Sequence, residues 1–402
     1  MFTISHIKII DSIMGSGKTS YAIQKMNKDH ENNYIYITPF LSEVQRIKDQ
    51  CKERKFYEPI NYGVGKLDSL HKLVLENRNI ASTHSLFRTS TEITKQLIKS
   101  NDYILILDEV MDVVEEVPLK KDDLKILKET NLITVEVDGL VLWNEDKLEY
   151  QTQYDYIKNM CINKCLFMVN NVLLMWTFPV DIFNAFKEVY VMSYLFDAQV
   201  QRYYYDLYNI EYTYYCITKE DDEYKLINKS KLHTDNKLLI KSKIHILEDS
   251  INNIGENKYS LSSSWFKKQD NAPLHNQMKN NILNYFKNKL KSKSKYNAWT
   301  TFKSSKSKLS GEGYTNGFIS INSRATNEYG HKNALAYCAN IFLNPILKQF
   351  FVDRGITVKE DDYALSELIQ WIWRSAIRND ENIDIYIPSL RMRNLLIEWL
   401  NL

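Results

Sequence analysis

The segment "IKIIDSIMGSGKTSYAIQKM" at residues 7–26 joins an apolar run to a helix-like segment through a loop that contains two glycines. The run at 8–10 predicts a buried strand, and residues 20–26 predict the start of a helix. A strand, a glycine loop, a Lys-Thr pair and a helix together form the pattern of a P-loop. Glycines let backbone N–H groups turn toward phosphate oxygens, and the helix N-terminus adds the positive end of its dipole. The loop therefore predicts a site for nucleotide phosphates.

Two side chains of this loop have predicted roles in holding ATP and Mg²⁺, the expected cofactors. Lys18 is placed to reach the β- and γ-phosphates, and the hydroxyl of Thr19 is placed to ligate the metal. The first glycine of the G-x-x-x-x-G-K-T pattern is replaced by Ser12, another small residue. A chance Gly-Lys-Thr turn is the alternative, which the flanking strand and helix disfavour. The predicted nucleotide-binding residues are Met14, Gly15, Ser16, Gly17, Lys18, Thr19 and Ser20.

An acidic pair follows a second apolar run in "DYILILDEVMDVVEE" at residues 102–116. The continuous apolar run at 103–107 is typical of a parallel strand buried on both faces. Open α/β sheets bind ligands at the carboxyl ends of such strands. We therefore expect Asp108 to hold Mg²⁺ through water, and Glu109 to orient and deprotonate the attacking water. A solvated Asp-Glu loop is the alternative, which the apolar strand and the upstream P-loop make the weaker interpretation.

Three further segments read as strands of the same parallel sheet. They are "YIYITPF" at 34–40, "RNIASTHSLFR" at 78–88 and "EVYVMSYLF" at 188–196, whose run ends near Ser193. The segment at 119–185 suggests a strand and a turn before a helical stretch, and no function is predicted for it. An α/β fold with a parallel sheet follows from these elements.

The length and composition of the chain limit its class. With 402 residues, we expect two domains or one large domain. The net charge is only +2, so a nucleic-acid surface must be a local patch. Cys161 and Cys165 could share a helix face, but they lack a second pair and a His at zinc spacing, so no zinc site is predicted. We expect a cytoplasmic protein with no membrane partner, since neither a signal-peptide pattern nor a membrane-length apolar run is found.

A lysine- and serine-rich segment occupies residues 287–314, "KNKLKSKSKYNAWTTFKSSKSKLSGEGY". It is too polar for a core. Two interpretations remain open: a solvated loop, or a basic strip beside a nucleic-acid backbone, where lysines release counterions.

The C-terminal segment "ALSELIQWIWRSAIRND" at residues 364–380 contains Gln370, Arg374 and Arg378, which are four residues apart. On a helix, four residues turn a side chain by only about 40°. We therefore expect the three side chains on one helix face. Arginines without carboxylate partners at ion-pair spacing suit a phosphate ligand.

Together these motifs resemble a superfamily 2 (DEAD/DEAH-like) helicase, and the resemblance extends over nearly the whole chain. The short chain, the loop at 14–19 and the "RATNEY" run at 324–329 are also similar to phage-encoded replication helicases and, more distantly, to viral origin-binding helicases. The matched pieces are residues 12–19 for motif I, Thr38 and Pro39 for motif Ia, Thr83 and His84 for the Thr-His motif, Asp108 and Glu109 for motif II, Ser193 for motif III, Arg324 and Thr326 for motif V, and Gln370 to Arg378 for motif VI.

The resemblance implies two tandem RecA-like P-loop NTPase lobes with parallel central sheets, at 1–199 and 200–402, and ATP in the cleft between them. It implies a DNA-stimulated ATPase that acts as a helicase or translocase on single-stranded or forked DNA, in phage replication or recombination. Replication proteins are candidate partners, and the host cytoplasm is the expected location. The implied catalytic residues are Glu109, Gln370, Arg374 and Arg378, and the implied nucleic-acid contacts are Thr38, Pro39, Thr83, His84, Arg324 and Thr326.

Two other functions fit parts of the pattern. A phage DNA-packaging motor also pairs a P-loop with an Asp-Glu strand but takes its arginine from a neighbouring subunit, and a nucleic-acid-binding protein could keep the P-loop as a structural element. The sequence leaves open DNA or RNA, translocation polarity, unwinding or translocation alone, the oligomeric state, and whether Arg374 or Arg378 is the arginine finger.

Overall fold

The computed structural model describes residues 7–63, 65–228, 237–322 and 327–401. These residues form two compact units, each with its own sheet. In the described residues, the first unit covers 7–12, 16–228 and 344–358, and the second covers 13–15, 237–322, 327–343 and 359–401.

The strands are short, and most are apolar runs buried on both faces. In chain order they are β1 (Ile7–Asp11), β2 (Tyr34–Thr38), β3 (Phe56–Tyr57), β4 (Asn79–Thr83), β5 (Ile104–Asp108), β6 (Val114–Val117), β7 (Ile133–Val135), β8 (Val141–Trp143), β9 (Leu166–Val169), β10 (Leu173–Thr177), β11 (Glu188–Ser193), β12 (Tyr212–Glu220), β13 (Glu223–Asn228), β14 (Ile244–Ile246), β15 (Asn297–Thr300), β16 (Ala334–Tyr337) and β17 (Ile383–Tyr386).

Most of the helices bury a stripe of apolar residues. In chain order they are α1 (Lys18–Lys28), α2 (Leu41–Gln50), α3 (Lys66–Leu75), α4 (His84–Phe87), α5 (Glu92–Ser100), α6 (Lys121–Glu129), α7 (Asp155–Ile162), α8 (Asp181–Asn184), α9 (Val200–Leu207), α10 (Lys237–Lys243), α11 (Ser263–Lys267), α12 (Ala272–Asn284), α13 (Lys306–Leu309), α14 (Pro345–Val352), α15 (Glu360–Ile372) and α16 (Leu390–Asn401).

The main sheet of the first unit has the strand order β13-β12-β1-β11-β5-β2-β4-β3. Its strands run parallel, except that β13 returns antiparallel to β12. The register pairs Asp11 with Ser193 and Met192 with Asp108. The carboxyl ends of β1, β11 and β5 therefore meet at one edge of the sheet, as the sequence predicts for a ligand site.

The first unit extends beyond the border predicted at residue 199. The strand β12 pairs in parallel with β1, and β13 pairs with β12, so residues up to 228 complete the first sheet. Residues 344–358, which include α14, also belong to this unit. The chain thus returns to the first unit after it has begun the second. A single border between two consecutive segments, as the sequence predicts, does not describe this arrangement.

The segment between β5 and β11 forms sheets of its own, separate from the main sheet. It contains the antiparallel sheet β6-β10-β9, the hairpin β7–β8, and the helices α6 and α7. Its apolar core includes Leu127, Trp143 and Ile157. The predicted strand and turn ahead of a helical stretch correspond to the hairpin and α7.

The second unit is built on a four-stranded sheet in the order β14-β17-β16-β15, with all neighbouring strands parallel. The apolar core of this unit includes Phe266, Trp299 and Tyr386. The described residues therefore form the predicted α/β fold with parallel sheets. The prediction that residues 287–314 are too polar for a core is wrong, because β15 and Trp299 of this segment are buried. Within these residues, no helix combines the length and the apolar character needed to cross a bilayer.

Candidate active site

Ser12 fastens the glycine loop to both neighbouring strands. Its backbone N–H donates to the carbonyl of Ser193 at the end of β11, at 3.1 Å. Its hydroxyl accepts a hydrogen bond from the N–H of Ile217 in β12, at 2.9 Å. The pairing of β1 with β12 ends at Ile10 and Tyr215, so the serine side chain continues the link where the backbone ladder stops. A glycine at this position could not make the second bond.

The two glycines of the loop have backbone conformations that other residues rarely adopt. Gly15 has φ +82° and Gly17 has φ +94°, both in the left-handed region. Gly17 also lies against an aromatic ring, because a Cβ atom built on it would be 2.1 Å from Cε1 of Tyr224. Gly17 directly precedes α1 as its N-cap. Both the backbone turn and the contact with Tyr224 therefore require glycine here.

The loop and the start of α1 have the chemistry of an anion site. The Lys18 ammonium donates to the carbonyl of Ser12, so the lysine folds back over its own loop. The Ser16 hydroxyl is buried and makes no hydrogen bond within the described residues. A phosphate oxygen would accept from this hydroxyl and from the N–H groups at the N-terminus of α1. The residues present therefore fit a bound phosphate.

Asp108 is the most perturbed acidic group of this edge. Burial raises the pKa of its carboxyl to about 7, with smaller contributions from the carboxylates of Glu109 and Glu43. The hydrogen bond from the Tyr36 hydroxyl, at 2.7 Å to Oδ2, and the charge of Lys18 act in the opposite direction. A cation beside Asp108 would favour its ionised form.

The backbone around Glu109 is held in an unusual conformation. Glu109 has φ +64°, and its N–H donates to the carbonyl of Met192 at 3.0 Å. The ring N–H at Nε2 of His84 donates to the carbonyl of Asp108 at 3.1 Å. The side chain of Gln201, which is fully buried, accepts from the N–H of Met111 at 3.0 Å. These contacts stabilise a left-handed backbone conformation that is energetically costly for glutamate. Such conformations are common at functional sites.

The predicted metal ligands fit a Mg²⁺ ion that is held mainly by a nucleotide. Thr19 lies in the first turn of α1, and Asp108 ends β5 at the same sheet edge. Within the described residues, no cluster of three or more His, Cys, Asp or Glu side chains could hold a metal. Mg²⁺ often takes only one or two carboxylates and completes its shell with phosphates and water.

Two of the four predicted nucleic-acid contacts of the first unit are buried, and the other two are half-buried. Thr38 ends β2 fully buried, and its hydroxyl has no hydrogen-bond partner within the described residues. His84 is 8% exposed, and its ring is engaged with the Asp108 carbonyl. Pro39 and Thr83 are half-buried at the same edge of the sheet. Of this group, His84 is therefore placed to orient the acidic pair.

The prediction that Gln370, Arg374 and Arg378 share one helix face is wrong. The helix α15 ends at Ile372, and the backbone of Ser375 is extended, with φ −88° and ψ −169°. Only Gln370 of the three lies on the helix, where it is half-buried. Because the helix ends before Arg374, the spacing of four residues does not place the three side chains on one face.

The two arginines lie in different environments. Arg374 is 6% exposed, and its Nη1 donates to the carbonyls of Ser320 at 3.2 Å and Ile321 at 2.8 Å. Arg378 is exposed in the short turn Ala376–Asn379. The buried guanidinium thus supports the backbone of its own unit, whereas the exposed one is accessible to solvent. The predicted motif V contacts Arg324 and Thr326 lie outside the described residues.

Comparison with known proteins establishes the family. The chain is 50% identical over 409 residues to the SPbeta prophage-derived uncharacterized protein YonV of Bacillus subtilis (strain 168), which covers 99% of each chain. The chain belongs to the YonV family. The YonV middle domain matches residues 114–176, which hold β6 to β10, and the YonV C-terminal Rossmann-like domain matches residues 238–400, which hold the four-stranded parallel sheet.

Solved structures similar to this YonV family member include three helicases. An XPD helicase is 10% identical with a TM-score of 0.46, over 100% of this chain and 96% of that chain. Xpd4 of S. tokodaii is 11% identical with a TM-score of 0.48, over 98% and 94%. The DUF1998 helicase MrfA bound to DNA is 10% identical with a TM-score of 0.34, over 100% of this chain and 47% of that one.

Proposed function

We propose that this protein is an ATP-dependent nucleic-acid helicase or translocase with two RecA-like lobes. The observation that carries the proposal is the alignment at one edge of the first sheet. There the glycine loop after β1, the end of β11 at Ser193 and the acidic pair at the end of β5 belong to neighbouring strands in register. This is the position at which parallel α/β sheets bind and act on nucleotides.

Each residue of this edge has a defined task in the proposal. Lys18 would exchange its bond to the Ser12 carbonyl for the β- and γ-phosphates of ATP. Thr19 and Asp108 would hold Mg²⁺, which when bound neutralises charge on the phosphates. Glu109 would orient and deprotonate the attacking water. The hydrogen bonds of the Asp108 carbonyl and the Glu109 N–H would hold the backbone that carries this carboxylate.

The second unit would supply the guanidinium that acts on the phosphate during turnover. We assign this role to Arg378, because it is exposed, and not to Arg374, whose Nη1 already bonds two backbone carbonyls. An arginine finger contributes a factor of about 10³–10⁵ in rate in NTPases that use one. Arg374 would act as a positioning residue for the backbone at 320–321.

Single-stranded or forked DNA is the proposed substrate, and phage replication or recombination is the proposed setting. The prophage origin of the Bacillus subtilis relative supports a phage role. The lysine-rich segment at 287–314 would add a local positive patch to a chain of nearly neutral net charge. We propose the host cytoplasm as the location.

The test compares ATP hydrolysis by the full chain and two lysine variants. Lys18→Ala should abolish hydrolysis without lowering the melting temperature, because the lysine is a half-buried first residue of α1 and is not part of the core. Lys28→Ala, in the last turn of the same helix and ion-paired on the surface with Glu223, is the matched control and should keep the normal rate. Retained turnover in Lys18→Ala would reject the proposed nucleotide site.

A further inference from the structure

A cavity lies in the second unit, at the amino end of β15. Its volume is about 290 Å³, near the lower end of the range for small-molecule sites, which is about 300–1,000 Å³. Asn297, the first residue of β15, lines it. The strand ends at Thr300, so the cavity opens on the edge of the sheet opposite to the carboxyl edge of that sheet. This site is therefore separate from the sheet edge at which α/β folds usually bind ligands.

Two exposed lysines give the cavity its charge. Lys287 and Lys291 both line it, and neither forms an ion pair within the described residues. Lys289, which lies between them, is instead paired with Asp249, with 2.5 Å from Nζ to Oδ2. The described lining includes no carboxylate. Two unpaired ammonium groups on one small cavity favour an anion, and lysine is a common ligand of phosphate as a point charge.

The backbone that presents the two lysines is irregular. A π-helical turn, Tyr285–Lys289, follows α12, and Lys291 has φ +50° in the left-handed region. Turns of this kind are rare and frequently occur at functional sites. The turn brings Lys287 and Lys291 to the same cavity, although it interrupts the regular helical spacing.

Asn297 adds a buried acceptor to the cavity. The residue is only 2% exposed, and its Oδ1 accepts no hydrogen bond within the described residues. A buried polar atom without a partner is costly, and native structures contain few of them. An N–H or O–H group of a ligand in the cavity would satisfy this oxygen.

Apart from Ser292 and Gly313, the remaining lining is apolar. Phe286 and Tyr314 line the cavity and are each 2% exposed. The hydroxyl of Tyr314 is already used, because it donates to the carbonyl of Leu309. The ring of Tyr314 therefore contributes only apolar surface. Apolar walls with a few converging polar groups are the usual composition of a small-molecule site.

We propose that this cavity binds a small phosphate ester that also carries an N–H or O–H donor, of the class of a nucleoside monophosphate. Lys287 and Lys291 hold the phosphate, and Oδ1 of Asn297 accepts from the donor group. The ligand is a free small molecule and not a nucleic-acid backbone, because the acceptor lies inside a cavity of limited volume. The proposal does not depend on the nucleotide site of the first unit.

The test is isothermal titration of AMP into the full chain carrying Lys18→Ala, which removes the phosphate-binding lysine of the other proposed nucleotide site. AMP should bind, and inorganic phosphate or adenosine alone should each bind at least about tenfold more weakly, since each lacks half of the contacts. Lys287→Gln and Lys291→Gln should each weaken AMP binding by about tenfold. The matched control is Lys293→Gln, an exposed lysine of the same basic segment outside the lining, which should change the affinity by less than about twofold.

Three results would overturn the proposal. One is the absence of AMP binding at concentrations of about 1 mM, the weak limit of a specific site. Another is an equal loss of affinity in all three lysine variants, which indicates a diffuse charge effect. The last is displacement of AMP by a single-stranded oligonucleotide whose own binding depends on Lys287 and Lys291, which would make the cavity part of a nucleic-acid path. The three substituted lysines are exposed, so their replacement leaves the core unchanged. Loss of structure therefore does not obscure the outcome.

Discussion

Replacing Asp108 with Asn should stabilise the ligand-free protein while it removes the proposed metal ligand. Burial raises the pKa of this carboxyl to about 7 from 3.8. A carboxyl whose pKa is higher in the folded state binds its proton more tightly there, so ionising it opposes folding. Asparagine carries no charge, and its side-chain oxygen can still accept the hydrogen bond that the Tyr36 hydroxyl donates at 2.7 Å.

The size of the effect follows from the two pKa values. The interval from 3.8 to about 7, at about 1.36 kcal/mol for each unit of pKa, corresponds to about 4 kcal/mol as an upper value. The stabilising contribution of the protonated Asp108 carboxyl is complete below pH 3.8 and is lost as the pH rises to about 7. Above pH 7 the destabilisation is constant, and below pH 7 it should fall by about 1.4 kcal/mol per pH unit.

The assay is urea unfolding of the wild-type chain and Asp108→Asn at pH 8, 7 and 6, without nucleotide or Mg²⁺. At pH 8 the variant should be more stable by up to about 4 kcal/mol, and the difference should shrink at pH 6. The control Tyr36→Phe keeps the carboxylate but removes its hydrogen-bond donor, so it should be less stable than the wild type at pH 8. A variant that is less stable than the wild type at pH 8, or a difference that does not change with pH, would refute the reasoning.

Four further substitutions probe the loop and the arginines. Gly17→Ala should abolish ATP binding in a filter-binding assay, because the new methyl group would overlap the aromatic ring against the loop and the left-handed backbone would be strained; unchanged affinity would contradict the loop geometry. Ser12→Ala should lower the free energy of unfolding by about 1 kcal/mol in urea, through loss of the hydrogen bond from Ile217; a fully neutral effect would show that this bond is unimportant. Arg374→Ala should destabilise the C-terminal unit by about 1–3 kcal/mol and broaden its melting transition, whereas Arg378→Ala should leave the melting temperature unchanged and suppress ATP turnover; the reverse pattern would exchange their roles.

The parts of the fold that the sequence predicts correctly depend on local signals. The continuous apolar run Ile104–Leu107 identifies a strand that is buried on both faces, and the acidic pair directly after it lies at the carboxyl edge. The glycines and Lys18 identify the loop because the backbone conformation and the helix start are encoded within a few residues. These features need no knowledge of distant contacts.

The parts that the sequence could not predict depend on contacts between distant residues. The helix α15 ends at Ile372, before Arg374 and Arg378. Arg374 donates to the carbonyls of Ser320 and Ile321, which lie more than fifty positions away in the sequence. The hydroxyl of Tyr36 reaches Asp108 from another strand, although the residue reads as an ordinary apolar position of β2. Periodicity reports which face of an element is buried, but not which polar atom it meets there.

The most direct test of the central proposal is the steady-state rate of ATP hydrolysis with and without single-stranded DNA, duplex DNA and RNA. The proposal predicts that the wild-type chain hydrolyses ATP faster with at least one nucleic acid, with single-stranded DNA the strongest, and that Lys18→Ala is inactive in every case. No ATP turnover under any of these conditions, or turnover that no nucleic acid changes, would contradict it.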